Sequence, residues 1–373
     1  MMSFVISSVL GVIMLVSVLS LAAFHTWLER KQSAVIQDRI GANRAWIVLP
    51  WKWAAPVNWI LGPINRLGLF HTIADAIKMF MKEDYIPPFG DRFLHTLAPT
   101  LSLTFALVGF AAIPFGDMLM IQGREYSLQV APVNVALLYI FAMMSMGVYG
   151  VVLAGFSSNS NYSFLGGMRA ASQMLAYEIT LGATIVGIVL VYGSLDLQEV
   201  VRRQGQLIGG WIPMWGAVTQ PLGLLLFMAA GFAETKRAPF DLPEGESEIV
   251  GYFTEYSSMK FGMFFFADFI ETIMIACLVT TLFFGGWQIP YLLRDGFHFP
   301  WGAVVHIPYL WVGILGVLAF SAKMLFFCVF FMTVRWTFPR FRYDQLMDLG
   351  WKVIFPLAIL NIFVTAVVLL WWR

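Results

Sequence analysis

The sequence predicts an all-α integral membrane protein, a bundle of about eight transmembrane helices with long cytoplasmic-side loops and amphipathic helices at the surface. Three observations predict it. The 373 residues are 59% hydrophobic and only 12% charged, whereas soluble domains carry about 25% charged residues. Apolar runs of roughly 20 residues recur along the chain, the length a helix needs to cross about 30 Å of hydrocarbon with its backbone groups satisfied. Lys and Arg also alternate between rich and poor connections. The whole chain, 1–373, is therefore expected to form a single membrane domain.

The expected spans are 3–28, 97–119, 131–155, 170–192, 212–233, 261–285, 306–333 and 351–372. The first, from Ser3 to Leu28, is too long for a signal-peptide core and no small-residue cleavage site follows it, so it should remain as a span. Segments 29–96, 156–169, 234–260 and 334–352 hold 17 of the 23 Lys and Arg, while Arg124, Arg202, Arg203, Arg294 and Arg373 fall on the other side and Lys323 lies within a span. The positive-inside rule puts the richer side in the cytoplasm and both termini outside. Trp371 and Trp372 read as an interfacial anchor, and the polar run 196–206 as a short interfacial helix. Segment 29–96, with Trp46, Trp51, Trp53 and Trp59, is too apolar for a solvated linker and should lie along the membrane or under a neighbouring subunit.

A net charge of +1 gives no clustered cationic surface for a nucleic acid. Cys277 and Cys328 sit in apolar runs without Cys or His at ligand spacing, so zinc, iron–sulfur and disulfide frameworks are not expected and any redox centre belongs to a partner. No internal repeat supports an inverted-repeat transporter.

Several charges fall where lipid penalises them by roughly 2.5–3.5 kcal/mol each. Glu178, following Gln173 and Tyr177 in the fourth span, should face the bundle interior. Asp268 and Glu271, three apart in the sixth span, would repel unless protonated or paired, and Lys323 is the expected countercharge for one of them. A static ion pair that fixes helix packing is the simpler reading of Lys323. The densest site is 234–248, which carries Glu234, Asp241, Glu244, Glu246 and Glu248. A solvated acidic loop would explain a generic run of this kind. Here Pro239, Phe240 and Pro243 impose a shaped loop, and carboxylates crowded in a low-dielectric funnel can accept and pass protons.

Five blocks resemble a known family, the H-type membrane subunit of respiratory complex I, the proton-pumping NADH:quinone oxidoreductase. They are Glu29-Arg-Lys with Gln37-Asp-Arg-Ile-Gly41 and Asn43-Arg44; Ala74-Asp-Ala-Ile-Lys78 to Lys82-Glu83-Asp84; Gly147 to Gly155 with Ser157 to Ser160 and Arg169-Ala-Ala; Ala233-Glu-Thr with Arg237-Ala-Pro-Phe-Asp-Leu-Pro-Glu244; and Arg335-Trp-Thr with Pro339 to Gln345 and Gly350-Trp-Lys352. The resemblance implies a helix bundle forming much of a chamber that ubiquinone or menaquinone enters from lipid. It implies neither metal nor flavin bound by this chain, with electrons delivered by iron–sulfur and quinone-site subunits of a peripheral arm and with small membrane subunits alongside. It places Arg30, Arg39, Arg44, Asp75, Lys78, Glu83, Arg169, Arg237 and Phe240 along the quinone passage or its mouth. Glu178, Glu234, Asp241, Glu244, Glu246 and Glu248 resemble the proton-coupling path, which Tyr252 and Glu255 would extend. Arg30 and Arg39 would either stabilise reduced quinone or hold the acidic loop. The implied location is a bacterial inner (plasma) membrane rather than a mitochondrial one.

The sequence departs from that pattern in places. Ala42 stands where proline is usual, 45–67 looks like an insertion expected to form a membrane-surface hairpin or short helix, Lys236 replaces asparagine, and Asp268 replaces glutamate. The alternatives are the homologous subunit of a membrane-bound hydrogenase or other non-NADH dehydrogenase, a stand-alone secondary ion transporter lined by Glu178, Asp268, Glu271 and Lys323, and a purely structural membrane anchor.

Overall fold

A computed structural model describes residues 2–48, 50–51, 55–121, 124–241 and 251–372. The eight expected spans are all helical at their cores. In chain order the helices are α1 (Met2–Ile36), α2 (Ala55–Leu67), α3 (Phe70–Met81), α4 (Arg92–Val108), α5 (Ala136–Ser157), α6 (Asn161–Tyr192), α7 (Leu197–Gln204), α8 (Gly216–Thr219), α9 (Pro221–Glu234), α10 (Ser258–Phe283), α11 (Tyr309–Thr337), α12 (Tyr343–Asp348) and α13 (Phe355–Trp372). Among the described residues seven helical stretches are long and apolar enough to cross a membrane, and α9 is shorter.

The limits differ from expectation for local reasons. Helix α1 runs past Leu28 because Glu29, Arg30, Lys31 and Gln32 are good helix formers and the chain breaks only where Asp38 adopts φ 51°. Helix α4 starts early because the Asp91 side chain accepts from the Phe93 and Leu94 amides. Helix α6 begins at Asn161, absorbing most of the expected loop 156–169, and ends at Gly193 in the left-handed conformation. A π-turn over Leu349–Ile354 joins α12 to α13 into one apolar stretch.

Helix α10 is the axis. Every residue from Phe269 to Phe283 is buried, and the helix packs against α4, α11, α1 and α9. Helices α4, α5 and α6 pack in series through small residues: a Cβ on Gly150 would lie 3.0 Å from the Ala98 carbonyl, and one on Gly155 would lie 2.8 Å from the Ser163 carbonyl. In lipid, where no hydrophobic force drives helices together, such close backbone approach supplies the association energy. Polar side chains lock the short α9 to α13, with Gln220 donating to Thr365 at 2.6 Å and Asn361 donating to Gln220 at 2.8 Å.

The positively rich connections converge on one end of the bundle. The Asp91 amide donates to Ser157, the Tyr85 amide to the Ser257 hydroxyl, and the Phe341 amide to Pro239. The other end holds α7 and three small antiparallel β-ribbons, one of them pairing Met118 with Ser127. There Asp117 pairs with Arg202 at 3.2 Å.

The described residues of the 45–67 stretch form a loop closed at its base and carrying the short helix α2. The Asn65 amide and the Ile47 backbone exchange two hydrogen bonds of 3.1 Å. Trp27 donates its indole N–H to the Leu67 carbonyl at 2.9 Å. Gly68, at φ 75°, closes the base so tightly that a Cβ would sit 1.8 Å from the Ala42 carbonyl oxygen. Trp46, Trp51 and Trp59 remain exposed on the outside of this loop. Gly68→Ala should therefore open the loop by more than about 1 kcal/mol, since both the backbone conformation and the contact are lost. Limited proteolysis of the assembled protein should show faster cleavage within 43–67, and an unchanged rate would contradict this closure.

Candidate proton and quinone site

The short α9 has the largest structural consequence. Fourteen residues rise about 21 Å, so the helix stops inside the bundle and every residue from Ala230 to Asp241 is buried. Glu234, at its last turn, is packed across from the middle of α10, because Gly231 abuts Ile275. The chain then runs as irregular backbone at membrane depth, which is tolerated where protein covers it. The reading of a solvated acidic loop is thereby overturned for 234–241. Gln173 on α6 holds this turn by donating to the Ala233 carbonyl at 2.6 Å and the Phe240 carbonyl at 2.7 Å. Phe240 stacks on Phe341 with ring centroids 5.3 Å apart.

Three groups of charges surround the turn. In the first, the buried Lys236 ammonium lies 2.8 Å from Asp268 and 3.2 Å from Glu271, both on α10. Two carboxylates at these distances offset the desolvation of a buried ammonium, which one alone would do only in part. Glu234 and Glu178 complete an acidic row with this pair. Glu178, half-buried on α6, accepts from the Ser145 hydroxyl of α5, and one Glu234 oxygen is buried with no hydrogen-bond partner among the described residues. In the second group, Glu29 of α1 takes Arg237 at 3.0 Å and Arg335 of α11 at 2.6 Å, and Arg237 also covers the Phe269 ring at 3.9 Å. In the third, Asp241, its side chain wholly buried, pairs with Arg340 at 3.0 Å.

Lys323 is a correction. It pairs with neither Asp268 nor Glu271. Its ammonium donates to the carbonyls of Phe284, Gly286 and Gln288 at 2.7, 3.0 and 2.6 Å and faces the Trp215 ring. Those carbonyls belong to the turn that leaves α10 after Phe283, so the lysine on α11 caps that turn. The transporter path expected to include it accordingly loses one member. Lys323→Met should leave the three carbonyls short of a donor and lower the thermal stability of the purified assembly by several degrees. An unchanged melting curve would show that the cap contributes nothing.

The expected quinone-mouth residues gather elsewhere at the same end. Arg30 pairs with Asp75 of α3 at 2.6 Å, with Lys78 3.5 Å from the same carboxylate. Arg39, exposed, donates to Gln37 at 2.6 Å and to Ser33 at 3.5 Å. Neither Arg30 nor Arg39 holds the described part of the acidic loop; Arg237, through Glu29, and Arg340 do. Glu83 accepts from Ser257 through its carbonyl at 3.0 Å, and Arg169 lies over the Tyr343 ring at 5.2 Å. The Tyr252 carbonyl accepts from Ser163 at 3.2 Å, while Glu255 is half-buried. Glu244, Glu246 and Glu248 lie outside the described residues.

Glu29, Arg335 and Arg340 stand in the quoted sequence blocks, but nothing in a single chain tells which partners they meet across 99 residues for Arg340 and more than 200 for Glu29. His71 is a further residue that sequence reasoning missed. Its Nε2 accepts from the Arg44 and Ala45 amides at 3.0 and 3.1 Å, a role open only to the unprotonated nitrogen. Burial first, and then Arg30, hold its pKa below 6.5. Because the folded value is lowered, this contact is at full strength above pH 6.5 and weakens as pH falls through the depressed value. Amide exchange at Arg44 and Ala45 should accelerate below that pH once corrected for intrinsic exchange, and a His71→Gln variant should not show the change. Protection independent of pH in the parent protein would contradict the assignment.

Comparison with known proteins agrees with this architecture. The family model described as NADH dehydrogenase matches residues 9–366. An H-type subunit of NADH-quinone oxidoreductase from Cytophaga hutchinsonii is 43% identical over 353 residues, covering 94% of this chain and 93% of that protein. The H-type subunit of NADH-quinone oxidoreductase from Thermomicrobium roseum is 43% identical over 371 residues, covering 98% and 97% respectively. NADH-quinone oxidoreductase subunit 8 of Rhodothermus marinus is 41% identical over 349 residues, covering 92% of each. A match that runs almost end to end, on a multi-pass bundle with a buried acidic turn at its centre, leaves one assignment: the chain belongs to the NADH dehydrogenase family.

Proposed function

We propose that this chain is the quinone-chamber and proton-coupling membrane subunit of a proton-pumping NADH:quinone oxidoreductase, complex I, working in a bacterial plasma membrane beside iron–sulfur and quinone-site subunits of a peripheral arm and small membrane subunits. Ubiquinone or menaquinone is the substrate. Support comes from relatives named as subunits of NADH-quinone oxidoreductase that cover nearly the whole chain. The observation that carries the coupling role is the carboxylate row Glu178, Glu234, Glu271 and Asp268, in which Glu234 and Glu271 are buried and Glu178 and Asp268 half-buried, joined through one irregular turn to α1, α10 and α11.

Reducing a quinone consumes protons and places transient negative charge in a desolvated chamber. At an effective dielectric of about 20, a unit charge about 10 Å away changes the energy of a carboxylate by roughly 1.7 kcal/mol, a little over one pKa unit. That is enough to move a proton among neighbouring carboxyls whose affinities are close. In this reading Glu178, Glu234, Asp241, Glu244, Glu246 and Glu248 carry the proton. Arg30, Arg39, Arg44, Asp75, Lys78 and Glu83 shape the mouth of the passage, while Arg169, Arg237 and Phe240 fix its inner wall.

Glu234→Gln keeps the shape of the side chain and removes its titration. In membranes holding the whole complex, it should lower quinone reduction and the coupled proton gradient at least tenfold, while NADH oxidation by ferricyanide, an acceptor upstream of the quinone, stays close to the parent rate. Parent-level pumping in this variant would refute the coupling role. Equal loss of both activities would refute a specific role at the quinone step.

A further inference from the structure

The buried charges around α9 do not balance, and their geometry sorts them into two kinds. Asp268 and Glu271 share one ammonium, that of Lys236, with distances of 2.8 and 3.2 Å. Glu234 makes no ion pair among the described residues and keeps one oxygen buried without a partner. The nearby guanidinium of Arg237 is already engaged by Glu29, which Arg335 holds from α11. If Glu178, Glu234, Asp268 and Glu271 were all ionised, one ammonium would face four carboxylates in a low-dielectric interior, and such a state is far too costly to persist. Protons must reside in the row, and they settle where no cation stands.

The backbone argues in the same direction. Lys236 adopts φ 53°, a left-handed conformation that is costly for a side chain with a Cβ and is relieved by Asn or Gly. At its far end the ammonium of this lysine is fixed by Asp268 and Glu271 of α10.

We propose that Lys236 is the positioning residue of the acidic row: its ammonium keeps Asp268 and Glu271 as standing anions and leaves Glu234, with Glu178 beside it, as the carboxyls that take up and release the coupled proton. This inference rests on the proton-coupling reading above and adds to it a division of labour. The groups that face the ammonium are Asp268 and Glu271 on α10, Glu234 on α9 and Tyr252 in the following segment, with Glu178 acting through Glu234. Arg237, Glu29 and Arg335 form the neighbouring balanced cluster, which reaches Glu271 through Arg237.

The test compares three variants of the whole complex in proteoliposomes: Lys236→Asn, Lys236→Arg, and Lys236→Asn combined with Asp268→Asn. Quinone reduction, normalised to ferricyanide reduction, is followed from acid to alkaline pH. Removing the cation makes every neighbouring carboxyl hold its proton more tightly, so the alkaline limb of the Lys236→Asn profile should move up by about one pH unit or more. Lys236→Arg should retain the parent profile, and the double variant, which removes one charge of each sign, should return most of the way to it. An unmoved limb in Lys236→Asn, or a displacement in Lys236→Arg as large as in Lys236→Asn, would overturn the proposal. Should Lys236→Asn fail to assemble, Lys236→Gln replaces it as the variant that removes the cation: an alkaline limb displaced upward supports the proposal, and an unmoved limb defeats it. Continued pumping by Glu234→Gln would instead remove the coupling role itself, so the two failures are distinguishable.

Discussion

The interaction on which the rest of this molecule depends is the attachment of one irregular turn to the helices around it by buried charge. Residues 235–241 run as non-helical backbone inside the bundle, where an uncompensated polar group costs several kcal/mol. The turn survives because it is held from several directions: by Lys236 to α10, by Arg237 through Glu29 to α1 and α11, by Asp241 to Arg340, and by Gln173 from α6. Each contact joins an element distant in sequence, so the turn is also the place where movement of one helix is felt by the others.

This arrangement explains why charges forbidden by lipid are kept. Breaking a buried pair by removing one partner is strongly destabilising, while replacing the whole pair with apolar groups is often harmless. A merely structural bundle could therefore do without them. A chain that must register charge at a substrate and relay it needs groups whose protonation is nearly balanced, and a row of carboxylates with too few cations provides that balance.

Much of this was legible in the sequence. The eight apolar runs mark the eight main helices because membrane helices satisfy their own backbone, and local composition suffices to find them. The acidic segment after Phe232 and the isolated Glu178 stood out against hydropathy in the same way. What composition could not give was partner choice. Lys323 and Lys236 are both plausible countercharges for Asp268 and Glu271, and only the depth at which α9 stops decides for Lys236. The depth itself was illegible, because the run 212–233 has the length of a full span while Gly216, Gln220 and Pro221 divide it into α8 and α9. His71 was missed for a related reason: its ligands are backbone amides 26 and 27 residues away, and they carry no side-chain signature.

Glu271 lies thirteen residues from one end of α10 and twelve from the other, near the middle of a helix long and apolar enough to cross a membrane. An elementary charge moved across the full bilayer changes energy by about 2.3 kcal/mol per 100 mV, so a proton brought to mid-depth works against roughly half of that, about 1 kcal/mol. Voltage therefore acts on the occupancy of the acidic row with a strength comparable to that of an approaching electron. If the row carries the coupled proton as proposed, a well-charged membrane slows the cycle at this point without any change of shape in the protein.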